Sequence, residues 1–193
     1  MLIRSRINGF RNAYRGKAGI WLKDSDVFAA FRPSGWNVVG NLILPNGEKD
    51  LVLGHNLITD DGELHYAQLI NQDVPTNAFG VMELATAVPT QATTDDRSDY
   101  TIQASSEKAF SSGYPKINDG DAGNTGAGAD VYTFKAEYVP GDGAWTGLLG
   151  GIITNATPGA SEAILTGFDF SGTLAKDGST ALTVWVNHAP TGV

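Results

Sequence analysis

Residues 38–53, VVGNLILPNGEKDLVL, decide the fold class. Two apolar runs, Val38–Leu44 and Asp50–Leu53, flank Pro45-Asn46-Gly47-Glu48. Asn-Gly readily takes the positive φ angles of a tight turn, so the segment predicts a β-hairpin. Working outward, Asn77–Val88, Tyr100–Phe110, Trp145–Thr154, Ala163–Phe170 and Thr180–Asn187 also read as strands. Val131–Val139 alternates, with Tyr132, Phe134, Ala136 and Tyr138 on the core face and Thr133, Lys135 and Glu137 on the other. In the last strand Leu182, Val184 and Val186 share one side and Trp185 takes the opposite one.

About eight strands with turn signals every 8–12 residues predict a mainly β fold, a β-sandwich or jelly roll. The 24 glycines fit short strands joined by frequent turns. One short helix is expected at Asp60-Asp61-Gly62-Glu63, with Asp60 as cap and Glu63 reaching back to it. Leu64, Ala67 and Ile70 would form its buried face, and the helix would end near Asn71. Pro89–Asp99 reads as a polar connection and Tyr114–Asp130 as a long glycine-rich loop. The expected domains are a basic N-terminal arm with an aromatic linker over 1–35, extended in form, and the β-sandwich over 36–193.

Charge is divided sharply along the chain. Residues 1–23 carry Arg4, Arg6, Arg11, Arg15, Lys17 and Lys23 and no acid. The other seven basic residues face all 21 acidic ones. An acidic body repels phosphate backbones, so nucleic-acid binding by the folded part is disfavoured. The arm interleaves its cations with Ile3, Ile7, Phe10 and Tyr14, and its charge suits contact with nucleic acid or with an acidic protein surface. Arg4, Arg6, Ile7, Phe10, Arg11, Tyr14, Arg15 and Lys17 are the candidate partner-binding residues. No apolar run approaches the ~20 residues that span a bilayer, and no signal-peptide core follows Met1–Lys17.

Chemical motifs are sparse. With no cysteine, thiol catalysis and thiolate metal sites are excluded. Neither G-x-S-x-G nor a phosphate-cradling G-K-[ST] occurs. His55, His65 and His188 lack metal-ligand spacing and read as structural. Asp60/Asp61, Asp95/Asp96/Asp99 and Asp119/Asp121 are carboxylate clusters in polar segments, where both members of a pair would stay ionised rather than divide acid and base roles. Asp119, Asp121 and Asn124 superficially resemble the start of a calcium loop, without a Glu at the bidentate position. Trp21, Trp36, Trp145 and Trp185 could stack on sugars or pack a core. The expectation is a non-enzymatic protein that needs no cofactor.

Two segments carry a family resemblance. Gly54-His55-Asn56-Leu57-Ile58-Thr59-Asp60-Asp61-Gly62 resembles the "HNL-[IV]-T-x-x-G" entry into a short helix in β-sandwich virion proteins of tailed bacteriophages. Phe168-Asp169-Phe170 with Lys176-Asp177-Gly178-Ser179-Thr180-Ala181-Leu182-Thr183-Val184-Trp185 is similar to their closing "K-x-G-x-x-L-x-V-x-W" hairpin. The resemblance covers roughly residues 54–188. It implies a capsid cement or decoration subunit that is assembled in the host cytoplasm and ends in the virion. The implied partners are the major capsid protein or other virion proteins and further copies of the chain, a trimer among the options, with no membrane. A tail, adaptor or fibre component and a carbohydrate- or receptor-binding module are the alternative readings.

Overall fold

The computed structural model describes residues 38–43, 49–117, 132–155 and 162–188. Ten strands and one α-helix succeed one another there, and every strand pairing is antiparallel. The strands are β1 (Val38–Ile43), β2 (Lys49–Ile58), β3 (Phe79–Ala87), β4 (Thr101–Ile102), β5 (Lys108–Ala109), β6 (Lys116–Ile117), β7 (Tyr132–Tyr138), β8 (Trp145–Asn155), β9 (Ile164–Lys176) and β10 (Ala181–His188). The helix α1 (Asp60–Ile70) follows β2. The protein is mainly β with one helix, as its alternating apolar patterns predict.

β1 and β2 pair as the hairpin that the sequence predicts, with Ile43 opposite Lys49 rather than the Asp50 that a two-residue Asn46-Gly47 turn would place there. The sheet runs β4-β3-β8-β9-β2-β1-β10-β7-β6, with β5 also beside β3. It folds over on itself. Met82 and Leu84 of β3, Phe168 of β9 and Leu148 of β8 meet Phe134 and Tyr138 of β7 and Val184 of β10 in one buried core. The Tyr138 hydroxyl crosses this core and donates to the Met82 carbonyl at 3.2 Å. The seam between the two limbs is stitched by consecutive residues: Phe110 donates its amide to Gly80, and Ser111 to Lys135 of β7.

The outer face of β3, β8 and β9 has its own smaller core of Ala85, Tyr100, Ile152 and Ile164. The excursion between β3 and β5 covers it. Glu83, buried on that face, takes a two-pronged ion pair from Arg97 at 2.8 and 3.1 Å, which clamps the excursion down. Tyr100–Phe110, expected as one strand, is two short ones. Between them Ser106 uses its hydroxyl to bond both the amide and the carbonyl of Leu84. A side chain thus replaces a stretch of ladder.

Two further expectations are corrected. β9 extends to Lys176 rather than ending at Phe170. The turn after it is shaped by Asp177, whose carboxylate accepts from the Ser179 and Thr180 amides. Yet β9 and β10 do not form a hairpin. β9 lies between β8 and β2, and β10 between β1 and β7, so this turn carries the chain from one limb of the folded sheet to the other.

The helix is capped by Thr59, one residue earlier than expected. The Thr59 hydroxyl accepts from the Gly62 amide and donates to the Ile164 carbonyl, while its own amide donates to Leu165. Gly62 is buried against β9, where an added Cβ would stand 2.2 Å from the Leu165 carbonyl oxygen. Because Gly62 must face the sheet, Tyr66, one turn later, faces it too. Leu64, Ala67 and Ile70 therefore point outward, the reverse of the expectation, with Leu64 49% and Ile70 81% exposed. Replacing Gly62 with Ala should destabilise the fold by about 1–3 kcal/mol through this backbone clash. The urea midpoint against wild type measures it, and an unchanged midpoint would show that α1 can lift off β9 at no cost.

Candidate functional site

β1 begins at Val38, which lies between Gly54 of β2 and Val186 of β10. Both neighbours run on beyond it, β2 to Ile58 and β10 to His188. Past the start of β1 their facing edges border a cleft of about 270 Å³, lined by Asn56, Leu57, Ile58, Glu63, Thr93, Asn187 and His188. The helix start roofs one side, where the Asp60 amide donates to the Thr93 carbonyl at 2.7 Å.

The floor of this cleft is polar and fixed. His188 is buried, and its Nδ1 lies 2.6 Å from the Tyr66 hydroxyl. Its ring also packs 5.0 Å from Phe134. Burial drives the His188 pKa down to about 3, so the imidazole is neutral throughout the ordinary range. Burial, reinforced by the neighbouring Tyr132, pushes the Tyr66 phenol well above its usual value. With both groups neutral, the Tyr66 hydroxyl and His188 Nδ1 share one hydrogen bond, and the tautomer sets which of them donates. The His188 Nε2 has no partner among the described residues, nor has the Asn56 side-chain oxygen. The Asn56 amide nitrogen is 3.4 Å from the Asn187 carbonyl, and the Asn187 side-chain oxygen accepts from Thr133 at 2.7 Å.

A base this weak takes almost no proton at neutral pH, so the His188–Tyr66 pair is poised to hold a polar group rather than to transfer a proton. Two buried polar atoms, His188 Nε2 and the Asn56 side-chain oxygen, lie without partners among the described residues at the two strand edges.

The other candidates fall elsewhere. The arm residues Arg4, Arg6, Ile7, Phe10, Arg11, Tyr14, Arg15 and Lys17 lie outside the described residues, as do Trp21, Trp36, Asp119, Asp121 and Asn124. Trp145 and Trp185 are buried, which removes them as exposed stacking platforms for sugars. Lys176 is buried over the Trp145 ring and donates to the Gly143 carbonyl at 2.9 Å. Asp96 and Asp99 cap a single 3-10 turn at Arg97–Asp99, and Asp95 accepts from the Ala92 amide and the Tyr100 hydroxyl. These carboxylates shape the excursion. His65 stacks edge-on against Phe79 at 5.1 Å and against Tyr66, the partner of His188, at 6.0 Å. Tyr66 and Thr93 were not visible as site residues in the sequence, since nothing local to either signals the partner that each meets.

The outward side of α1 is the second feature. Leu64, Ala67 and Ile70 are exposed along it, and Val74 beyond the helix end is 90% exposed. The Gln68 side chain grips Thr76 through both its hydroxyl and its amide, and the Asp73 amide donates to the Gln68 carbonyl. The stripe and the turn after it are therefore held in place, facing solvent. Comparison with known proteins gives no relative to set beside this geometry: no family model, curated protein or solved structure matches the chain.

The depressed His188 pKa has a sign that can be checked. Unfolded, the imidazole takes up its proton near its ordinary value of 6.5, whereas folded it does so only near 3. The unfolded state therefore binds more protons in this window, and stability falls as pH drops through it, by at most about 1.4 kcal/mol per pH unit from this group. His188→Gln should flatten the pH dependence of the urea midpoint between these two values. An equal slope in wild type and variant would show that His188 titrates normally in the fold.

Proposed function

We propose that this protein is a structural subunit of a tailed-phage particle, a cement or decoration protein of the head. In this reading the β-domain is the body, and the basic segment over residues 1–17 fastens it to neighbouring capsid subunits. The observation that carries the reading is the apolar stripe on α1, held open on an acidic body. Solvent-exposed Leu64 and Ile70 on the helix and Val74 after it cost free energy in an isolated chain and regain it on docking. A protein made to be assembled has a use for such a surface. The virion-protein resemblance of residues 54–62 and 176–185 sets the kind of assembly.

The clasp of Thr59 and Gly62 on β9 supports the same reading, because it gives the resembling segment a mechanical role: it fixes the helix that bears the stripe. The basic segment adds reach. Fastening to several neighbours at once multiplies weak contacts into firm attachment. Ordering it costs about 1–2 kcal/mol per residue, so Ile3, Ile7, Phe10 and Tyr14 are needed as anchors beside the cations.

Removal of residues 1–17 should leave a body with unchanged circular dichroism that no longer co-sediments with capsids lacking the protein. Immunogold labelling should mark the head rather than the tail. Undiminished capsid binding by the shortened chain, or label confined to the tail, would refute the cement role.

A further inference from the structure

The α1 stripe also specifies the surface that would fit it. Its apolar members lie among Asp60, Glu63 and Asp73, all exposed, and the helix contains no Lys or Arg. Two such stripes packed symmetrically would bring these carboxylates face to face, and like-charge juxtaposition opposes that. The complementary surface alternates apolar and cationic groups. Residues 1–17 have that composition, with Ile3, Ile7, Phe10 and Tyr14 set among arginines and no acid.

The place where the described chain begins adds a spatial argument. Val38 lies beside Gly54, and β2 runs from there to Ile58, one residue short of the cap of α1. The first 37 residues thus join the domain at the end of the sheet that bears α1.

We infer that the outer stripe of α1 is the docking surface for residues 1–17 of a second copy of this chain. The inference rests on the assembly reading and names one partner within it. The contact is heterologous, the leading segment of one copy on the helix of the next, so it links copies into a closed ring or a reciprocal pair. The apolar anchors bury Leu64, Ile70 and Val74, while the arginines neutralise the carboxylates beside them. Acidic bodies, each with seven basic against 21 acidic residues beyond position 23, are then bridged by the leading stretch of opposite sign.

The full-length chain provides the test, and its lack of cysteine makes introduced thiols unambiguous. Sedimentation velocity should show concentration-dependent association that added salt weakens. Combining Ile70→Glu with Val74→Glu should weaken it about tenfold or more, with circular dichroism unchanged because both positions are exposed. A tagged Ile70→Cys chain mixed with an untagged Phe10→Cys chain should yield an inter-chain disulfide. Three results would overturn the inference: a wild-type chain that stays monomeric at every concentration, association indifferent to the Glu substitutions, or a Phe10→Cys/Ile70→Cys double variant that cross-links only within one monomer. Self-association is read without particles, so failure to bind capsids would sink the cement role and leave this contact standing, and the converse also holds.

Discussion

The close approach of Gly62 to the Leu165 carbonyl is the constraint on which the functional geometry depends. A helix laid on a sheet is normally kept off it by side chains. Here the first turn has none at the contact, and Thr59 bonds into β9 on either side of it. That fixes not only where α1 sits but how it is rotated. With Gly62 inward, Tyr66 must reach His188, and Leu64, Ala67 and Ile70 must face water. The buried pair and the exposed stripe are two consequences of one contact.

The rest of the molecule is built to keep that end of the sheet still. The two limbs are tied across the core by Tyr138 and along the seam by residues 110 and 111. The outer face of β3, β8 and β9, which would otherwise expose Ile152 and Ile164, is sealed by the excursion that Arg97 pins to Glu83. Tyr100 fills the space left by Gly167, where an added Cβ would stand 1.8 Å from its hydroxyl. Polar groups in these places are spent on holding backbone. Buried ion pairs and hydrogen-bonded side chains of this kind are costly to break singly, and they favour one arrangement over its near alternatives.

Charge divides the chain into a basic leading segment over residues 1–23 and an acidic remainder. The body is acidic, yet inside it burial suppresses charge on both His188 and Tyr66. Outside, the acids around the α1 stripe repel their own kind and attract the sign carried by residues 1–17. In the proposed assembly that division has a use, since net charge would keep free bodies apart until a basic segment comes between them.

Residue pattern by itself determined that the protein is mainly β, through the alternation of Val131–Val139, the apolar run of Thr180–Asn187 and the hairpin signal of Asn46-Gly47. Even so, β10 is buried along both faces, and Tyr132, expected on the core face, is exposed. The local chemistry of caps also placed one helix at Asp60–Glu63, although the cap itself is Thr59 rather than Asp60. The tertiary structure alone decided which side of that helix is inside. Leu64, Ala67 and Ile70 do form a stripe at helical spacing, but spacing is symmetric between inward and outward, and a glycine's closeness to a distant strand breaks the tie. The same holds for Asn56, Tyr66 and His188. They are far apart in sequence and meet only because β10 and β2 flank β1 and outrun it, a matter of strand order that no local pattern encodes.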